Sequence, residues 1–303
     1  MPPLWEPVAK MVWFFALIRI VSNPFSNVFQ KALTRRSADP LFIICATHGL
    51  LSIACLPVVC LKSWGLGSAF WGNIAICAVL AVAGNALLVQ AVRISDLSVL
   101  GPINAYKSVV SLLPGIVLLG EVPRPMGLGG IGLIVAGSYF LVDRDVSRPR
   151  RNAFVRFFRD RGVQYRFAAL LLSATEAVFL KKALLASSAI TAFAFWAVLG
   201  FIVSLVAVAL LMGGAKKLRH ERAVLWDSRA LYFLLAFTTG SMQLTTLLTF
   251  AALKVGYALA LFQTSTLLTV VLGTWFFREP HFAKRMLGSA VMVAGAVLII
   301  ASK

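Results

Sequence analysis

The feature that most constrains this chain is a succession of apolar blocks, each about twenty residues long, separated by short polar connections. A helix rises about 1.5 Å per residue, so roughly 20 residues cross a hydrocarbon layer about 30 Å thick. A soluble fold has no use for such blocks, because its apolar positions alternate with polar ones within each element. Ten blocks can be placed, at residues 11–30, 41–61, 70–92, 97–119, 125–142, 165–185, 189–212, 230–252, 256–277 and 284–301. Charged residues make up only 13% of the chain, against roughly a quarter in a soluble domain. The fold class read from this pattern is an all-α membrane protein with ten transmembrane helices. The first block contains Arg19 and Asn23 and is followed by no small-residue cleavage site, so it reads as a retained helix and not as a signal peptide.

The net charge is +18. In a soluble chain this would suggest a nucleic-acid partner. Here the basic residues lie mostly in the connections, and no nucleic-acid motif accompanies them. Basic loops facing a membrane surface explain the excess, so membrane lipid is the expected partner and nucleic acid is not. Cys45, Cys55, Cys60 and Cys77 lie in or beside apolar blocks and form no C-x-x-C pair, which argues against a disulfide framework or a zinc site. There is no G-x-x-x-x-G-K-[ST] loop, no H-E-x-x-H and no G-x-S-x-G, and His48, His220 and His281 are far apart. No cofactor and no enzymatic activity are expected.

The two halves of the chain resemble each other. Glu121 and Val135-Ala136-Gly137 recur as Glu279 and Val293-Ala294-Gly295, both at an offset of 158. Near the starts, SNPFSNVFQKAL (Ser22 to Leu33) faces SATEAVFLKKAL (Ser173 to Leu184), with Lys31 opposite Lys182. This reads as a duplication. The first repeat is 1–142, the second is 165–303, and an arginine-rich linker at 143–164 joins them. Val155, Phe157 and Phe158 suggest that part of this linker lies on the membrane surface. Five spans per half is an odd number, so the second half should enter the membrane in the opposite sense. Two inverted five-helix repeats form a recurrent transporter architecture.

Ionisable and polar residues inside the blocks are the candidate site, because a charge at that depth is costly unless it faces a cavity or a partner. Lys107 lies near the middle of the fourth block, with Asn104 three residues before it and Ser111 four after, a spacing that places all three on one helix face. Arg19 and Asn23 lie in the first block beside Pro24, which could kink it, and Glu176 lies in the sixth, where it could pair with Arg19 or Lys107 or carry a coupled proton. Gln243 and Gln263 are uncharged polar candidates, and Tyr106 is an aromatic one. Gly127, Gly129, Gly130, Gly132 and Gly137 read as helix packing, within one chain or in a homodimer. Glu121 and Glu279 read as acids suited to the start of the final helix of each half.

Two segments carry a family likeness: GPINAYKSVVSLLPGIVLLGEVPRPMGLGGIGLIVAGSYFLV (Gly101 to Val142) and FQTSTLLTVVLGTWFFREPHFAKRMLGSAVMVAGAVLII (Phe262 to Ile300). They resemble the drug/metabolite transporter superfamily, specifically its ten-span EamA-type group, in an apolar helix with Pro near its start, a Gly-Glu turn and a final helix with spaced Gly. The chain departs from that pattern at Phe276-Phe277-Arg278-Glu279, where Leu-Gly-Glu is more typical, and at Ser22-Asn23-Pro24, where Trp-Gly is common. The resemblance implies two five-helix repeats around a central cavity and secondary transport of small organic solutes, often outward.

These features together point to a secondary transporter of a small metabolite in a bacterial inner (plasma) membrane, working by alternating access, with proton or ion coupling compatible with it. Arg19 and Lys107 against Glu176 leave two positives and one negative, which favours an amino acid or organic anion. The rival reading is a lipid-handling or structural membrane protein without solute flux. Orientation pits two arguments against each other. Lys and Arg favour the inside face. Their tally is far larger on the side opposite the termini, which puts both termini outside, whereas the resemblance suggests the reverse. The charges belong to this chain itself, so the termini are expected outside.

Overall fold

The structure is a computed structural model that describes residues 5–61, 65–110, 125–141, 153–253 and 255–301. Every element among them is a helix: α1 (Trp5–Arg35), α2 (Pro40–Leu61), α3 (Ser68–Ile94), α4 (Leu97–Ile103), α5 (Tyr106–Val110), α6 (Pro125–Tyr139), α7 (Ala153–Arg159), α8 (Arg161–Leu185), α9 (Ala189–Leu211), α10 (Ala215–Asp227), α11 (Arg229–Ala252), α12 (Val255–Gln263), α13 (Ser265–Phe277) and α14 (Phe282–Ala301). Six of these, α1, α2, α3, α9, α11 and α14, are long and apolar enough to cross a membrane. α6 and the apolar stretch Leu261–Phe277 are shorter. α8 carries Arg161, Arg166, Glu176, Lys181 and Lys182, which dilute its apolar character. Large apolar side chains such as Trp13, Phe14, Leu17, Ile53, Phe233 and Phe237 point outward, as a surface bathed in hydrocarbon requires.

The boundaries differ from the sequence reading in informative places. α1 runs unbroken through Pro24, so that proline does not end the helix. The fourth block is not one continuous helix: Asn104 and Ala105 form a tight turn between α4 and α5. Their backbone N–H groups bond three residues back, to Gly101 and Pro102, in the 3₁₀ manner. Pro102 has no N–H to give, so the regular ladder is already interrupted there. The ninth block tightens at the matching place, Thr264. There is no proline there. Instead the hydroxyls of Thr264, Ser265 and Thr266 each donate to a carbonyl three residues back, competing with the backbone ladder.

α8 begins at Arg161, four residues before the expected span, with the Asp160 side chain accepting from Val163 N at its N-cap. Within the basic linker, α7 packs Phe157 into a core cluster with Val28, Val92 and Val163, so that ring is buried in protein and does not lie on a membrane surface. Val142 and residues 143–152 of the linker lie outside the described residues, as do Ser111 and Glu121.

The principal helix contacts keep their pattern when the halves are exchanged. α1 packs on α11 and α3 packs on α8, so the two pairs trade places, while α2·α9 and α6·α14 map onto themselves. The glycines of α6 and α14 show the pairing at atomic level. A Cβ on Gly130 would come 2.6 Å from the Gly295 oxygen, and one on Gly137 would come 2.8 Å from the Gly288 oxygen. The N-terminal part of α6 therefore meets the C-terminal part of α14, and the helices run antiparallel with their backbones in close approach. Gly129 and Gly132 face open space and take no part in this contact.

Candidate functional site

A cavity of about 130 Å³ lies between the helices of the two halves. It is lined by Arg19, Asn23 and Asn27 of α1, Asn104 and Lys107 beside the turn in the fourth block, Arg166, Ser173 and Glu176 of α8, Gln243 and Thr246 of α11, and Gln263 at the turn in the ninth. Seven of the eight residues singled out from the sequence meet there: Arg19, Asn23, Asn104, Lys107, Glu176, Gln243 and Gln263. Tyr106 does not. Its hydroxyl lies 3.0 Å from Ser138 Oγ on α6, and its ring packs edge-on against Phe167. Asn104 and Lys107 reach the cavity from either side of a tightened turn and not as two points on one regular helix face, and Ser111 lies outside the described residues.

The two interrupted blocks touch at the cavity, where Asn104 Nδ2 donates to Gln263 Oε1 at 3.3 Å. Interrupted helices at corresponding positions of two repeats supply backbone and side-chain polarity inside a membrane fold. Asn23 Nδ2 donates to Ser265 Oγ at 3.3 Å, linking α1 to the same turn.

Four charges share the cavity. Arg19 Nε donates to Thr246 Oγ1 at 2.9 Å, and its guanidinium lies 4.7 Å from the centre of the Phe262 ring, a cation–π distance. Arg166 Nε donates to the Leu100 carbonyl at 3.1 Å and its Nη2 to Asn104 Oδ1 at 3.2 Å. Glu176 Oε1 accepts from Trp196 Nε1 at 3.2 Å and from Cys77 Sγ at 3.8 Å. Lys107 feels Glu176 as an attractive charge and Arg19 and Arg166 as repulsive ones. Arg166 is the member the sequence reading missed. It lies at the start of the sixth block, where an arginine reads as the end of the basic linker. The available signal was its spacing: Ser173 and Glu176 follow at seven and ten residues, on the same face of a helix.

One turn beyond Asn27 along α1, a second polar cluster closes off that end. Lys31 Nζ donates to Glu279 Oε1 at 2.7 Å and to the Ser95 carbonyl at 3.0 Å. The Glu279 carboxylate also accepts from the backbone N–H groups of Leu97 and Ser98, both at 2.8 Å. Arg285 Nη1 pairs with Asp96 Oδ2 at 3.0 Å and donates to Ser98 Oγ. Glu279 thus serves a helix N-terminus, but that of α4 in the opposite half and not that of the final helix, as expected from sequence. Burial alone would raise the Glu279 carboxyl. The Lys31 ammonium and the hydrogen bonds from Lys31 and Ser98 outweigh burial and hold it below its ordinary value. The cluster joins α1, α4 and the α13–α14 connection. Ser95 Oγ also donates to Asp160 at 3.2 Å, so the C-terminal end of α1 and the N-terminal end of α8 meet at the same end of the molecule.

A third group lies outside the spans. Glu221 on α10 accepts from Asp39 N at 3.1 and 3.2 Å, and Lys217 pairs with Asp39 at 2.7 Å, pinning α10 to the α1–α2 connection. Burial raises the Glu221 carboxyl, helped by the neighbouring Asp39 charge and opposed by the bond from Asp39 N.

Among proteins of known kind, the profile of the EamA-like transporter family matches residues 10–143 and again residues 160–301. No curated protein matches the chain. The fold matches 28 chains of solved structures. One of them, a crystal structure, has a TM-score of 0.56 at 12% identity and covers 95% of this chain and 96% of its own, a likeness of fold alone. With both halves matched in turn, the chain belongs to the EamA-like transporter family and is an integral membrane protein built of two EamA repeats.

Proposed function

We propose that the chain is a secondary transporter of a small organic metabolite, an amino acid or organic anion, that works by alternating access. Membership of the family makes it a membrane transporter of small solutes. The observation that carries the finer reading is the polar cavity between the halves, where Asn104 and Gln263 meet at the two interrupted helices. Arg19, Asn23, Asn104, Lys107, Glu176, Gln243 and Gln263 are its site residues, and Glu176 is the candidate carrier of a coupled proton. The direction is export, and the location is the inner (plasma) membrane of a bacterium.

The repeats are 1–142 and 165–303, joined by the linker at 143–164, and they are inverted, each with five spans. Three observations support the inversion: the contacts that survive exchange of the halves, the antiparallel glycine pairing of α6 and α14, and the meeting of the end of α1 with the start of α8. Two halves related in this way can trade conformations, which opens the cavity first to one side and then to the other. The Lys31–Glu279 cluster is the closed gate of the present state. Its counterpart in sequence is Lys182 with Glu121.

Reconstitution into proteoliposomes tests the reading. Accumulation or counterflow of a small anionic or amino-acid solute, dependent on the protein, is the expected result. Protein that is folded and inserted yet moves no solute from such a panel would favour a lipid-handling or structural role.

A further inference from the structure

The cavity charges do not balance. Glu176 and Lys107 offset each other, which leaves Arg19 and Arg166. Neither arginine has a carboxylate within ion-pair distance among the described residues; their bonds go to Thr246, to the Leu100 carbonyl and to Asn104, all uncharged acceptors. A guanidinium does not lose its proton under ordinary conditions, so the imbalance cannot be removed by titration of the arginines. Two permanent positive charges inside a membrane protein are costly without a counter-charge.

The unused hydrogen-bonding capacity has the same sign. Arg19 Nη1 and Gln243 Nε2 are buried and have no partner among the described residues, and both belong to residues that line the cavity. Both are donors. The one cavity carboxylate, Glu176, already accepts from Trp196 and Cys77 at Oε1. The site is thus rich in unsatisfied donors. A zwitterionic amino acid would bring one negative charge and one further positive charge, leaving the excess as it was.

Resting on the transporter reading above, we infer that the substrate is a compact dianion, either a dicarboxylate or a phosphate monoester, whose two negative charges are held by Arg19 and Arg166. Each guanidinium presents a planar fork suited to a carboxylate or phosphate edge. Lys107 and Gln243 add donors around it. Both ligand types share this chemistry, and the test below separates them.

The experiment uses the purified full-length protein and paired probes that differ by one charge: succinate against monomethyl succinate, and methyl phosphate against dimethyl phosphate, with alanine as the zwitterion. Thermal stabilisation reads binding to the folded state. In at least one pair the dianion should bind at least about tenfold more tightly than its singly charged partner, the size expected for loss of one buried charge pair. The pair that responds identifies the dicarboxylate or phosphate source. Arg19→Gln and Arg166→Gln should each remove that preference. Equal binding within both pairs, tighter binding of alanine, or no binding of either dianion would overturn the inference. The wild-type comparison stands even if a variant fails to fold. Flux in proteoliposomes separates the two readings. A dianion that binds but is never transported defeats the transporter reading alone, whereas transport of a neutral or zwitterionic solute without dianion binding defeats this inference alone.

Discussion

Lys31 on α1 donates to Glu279, which lies 248 residues later, at 2.7 Å, and the two side chains are 7% and 2% exposed. The pair joins the first repeat to the second at one end of the cavity. Removing one partner leaves the other charged and buried, a change that typically costs about 3–5 kcal/mol. Lys31→Met and Glu279→Gln should each lower the thermal stability of the protein in detergent. If the cluster is a gate, they should also raise the labelling of a cysteine placed at Asn27. The double variant should be less damaged than the sum of the two singles. Strict additivity would show that the residues do not act as a pair.

The same carboxylate gives a pH dependence. Its value is held below the ordinary range by Lys31 and Ser98, with Asp96 and Arg285 also facing the cluster. A carboxyl depressed in the folded state contributes stability that is fully present above its unfolded value, about 4.3, and is lost as pH falls through the folded value. Melting temperatures of the wild type should hold from pH 7 to about pH 5 and fall below that. Glu279→Gln should flatten this acid limb, and an unchanged limb in that variant would remove Glu279 as its source.

The glycine contact between α6 and α14 is intolerant of bulk. Gly130→Val would push side-chain atoms into the Gly295 backbone and Ile299, and overpacking of this kind costs about 1–3 kcal/mol or more. Gly132→Ala, with nothing within 4 Å of the added carbon, should be neutral or slightly stabilising. Comparing the folded yield of the two variants by size-exclusion chromatography checks the contrast. Equal yields would contradict the close approach.

Lys107 is half-buried and lines the cavity, and its Nζ has no hydrogen-bond partner among the described residues. Lys107→Met should keep the folded protein and lower solute flux at least about tenfold, the effect of losing one charge-assisted contact worth about 1.5–3 kcal/mol. Normal flux in that variant would remove Lys107 from the site. Loss of the folded protein would assign it a structural role.

Orientation can be decided in whole cells. From the charge distribution, the termini are expected outside and the basic linker inside. A single cysteine at Arg150, in a background without Cys45, Cys55, Cys60 and Cys77, should therefore react with an impermeant reagent only after the cells are permeabilised. Labelling of intact cells would reverse the orientation.

Sequence alone determined the solvent this fold is built for, because apolar blocks of bilayer length have no other stable use. The duplication was legible as well, since Glu121/Glu279 and the Val-Ala-Gly triplets keep one offset in sequence. So were seven cavity residues, because a charge or amide inside an apolar block is costly unless it has a destination. Tertiary structure decided what such a rule cannot reach. Arg166, which at the second position of the sixth block reads as a boundary charge, joined the cavity because it shares a face of α8 with Ser173 and Glu176 and that face packs toward the centre. Tyr106 left it because the turn at Asn104 rotates the ring toward Phe167 and Ser138. Glu279 found Lys31 and the start of α4, partners about 180 to 250 residues away that no local spacing could suggest. Local periodicity fixes which face of a helix is polar. Only the packing of one repeat against the other fixes what that face meets.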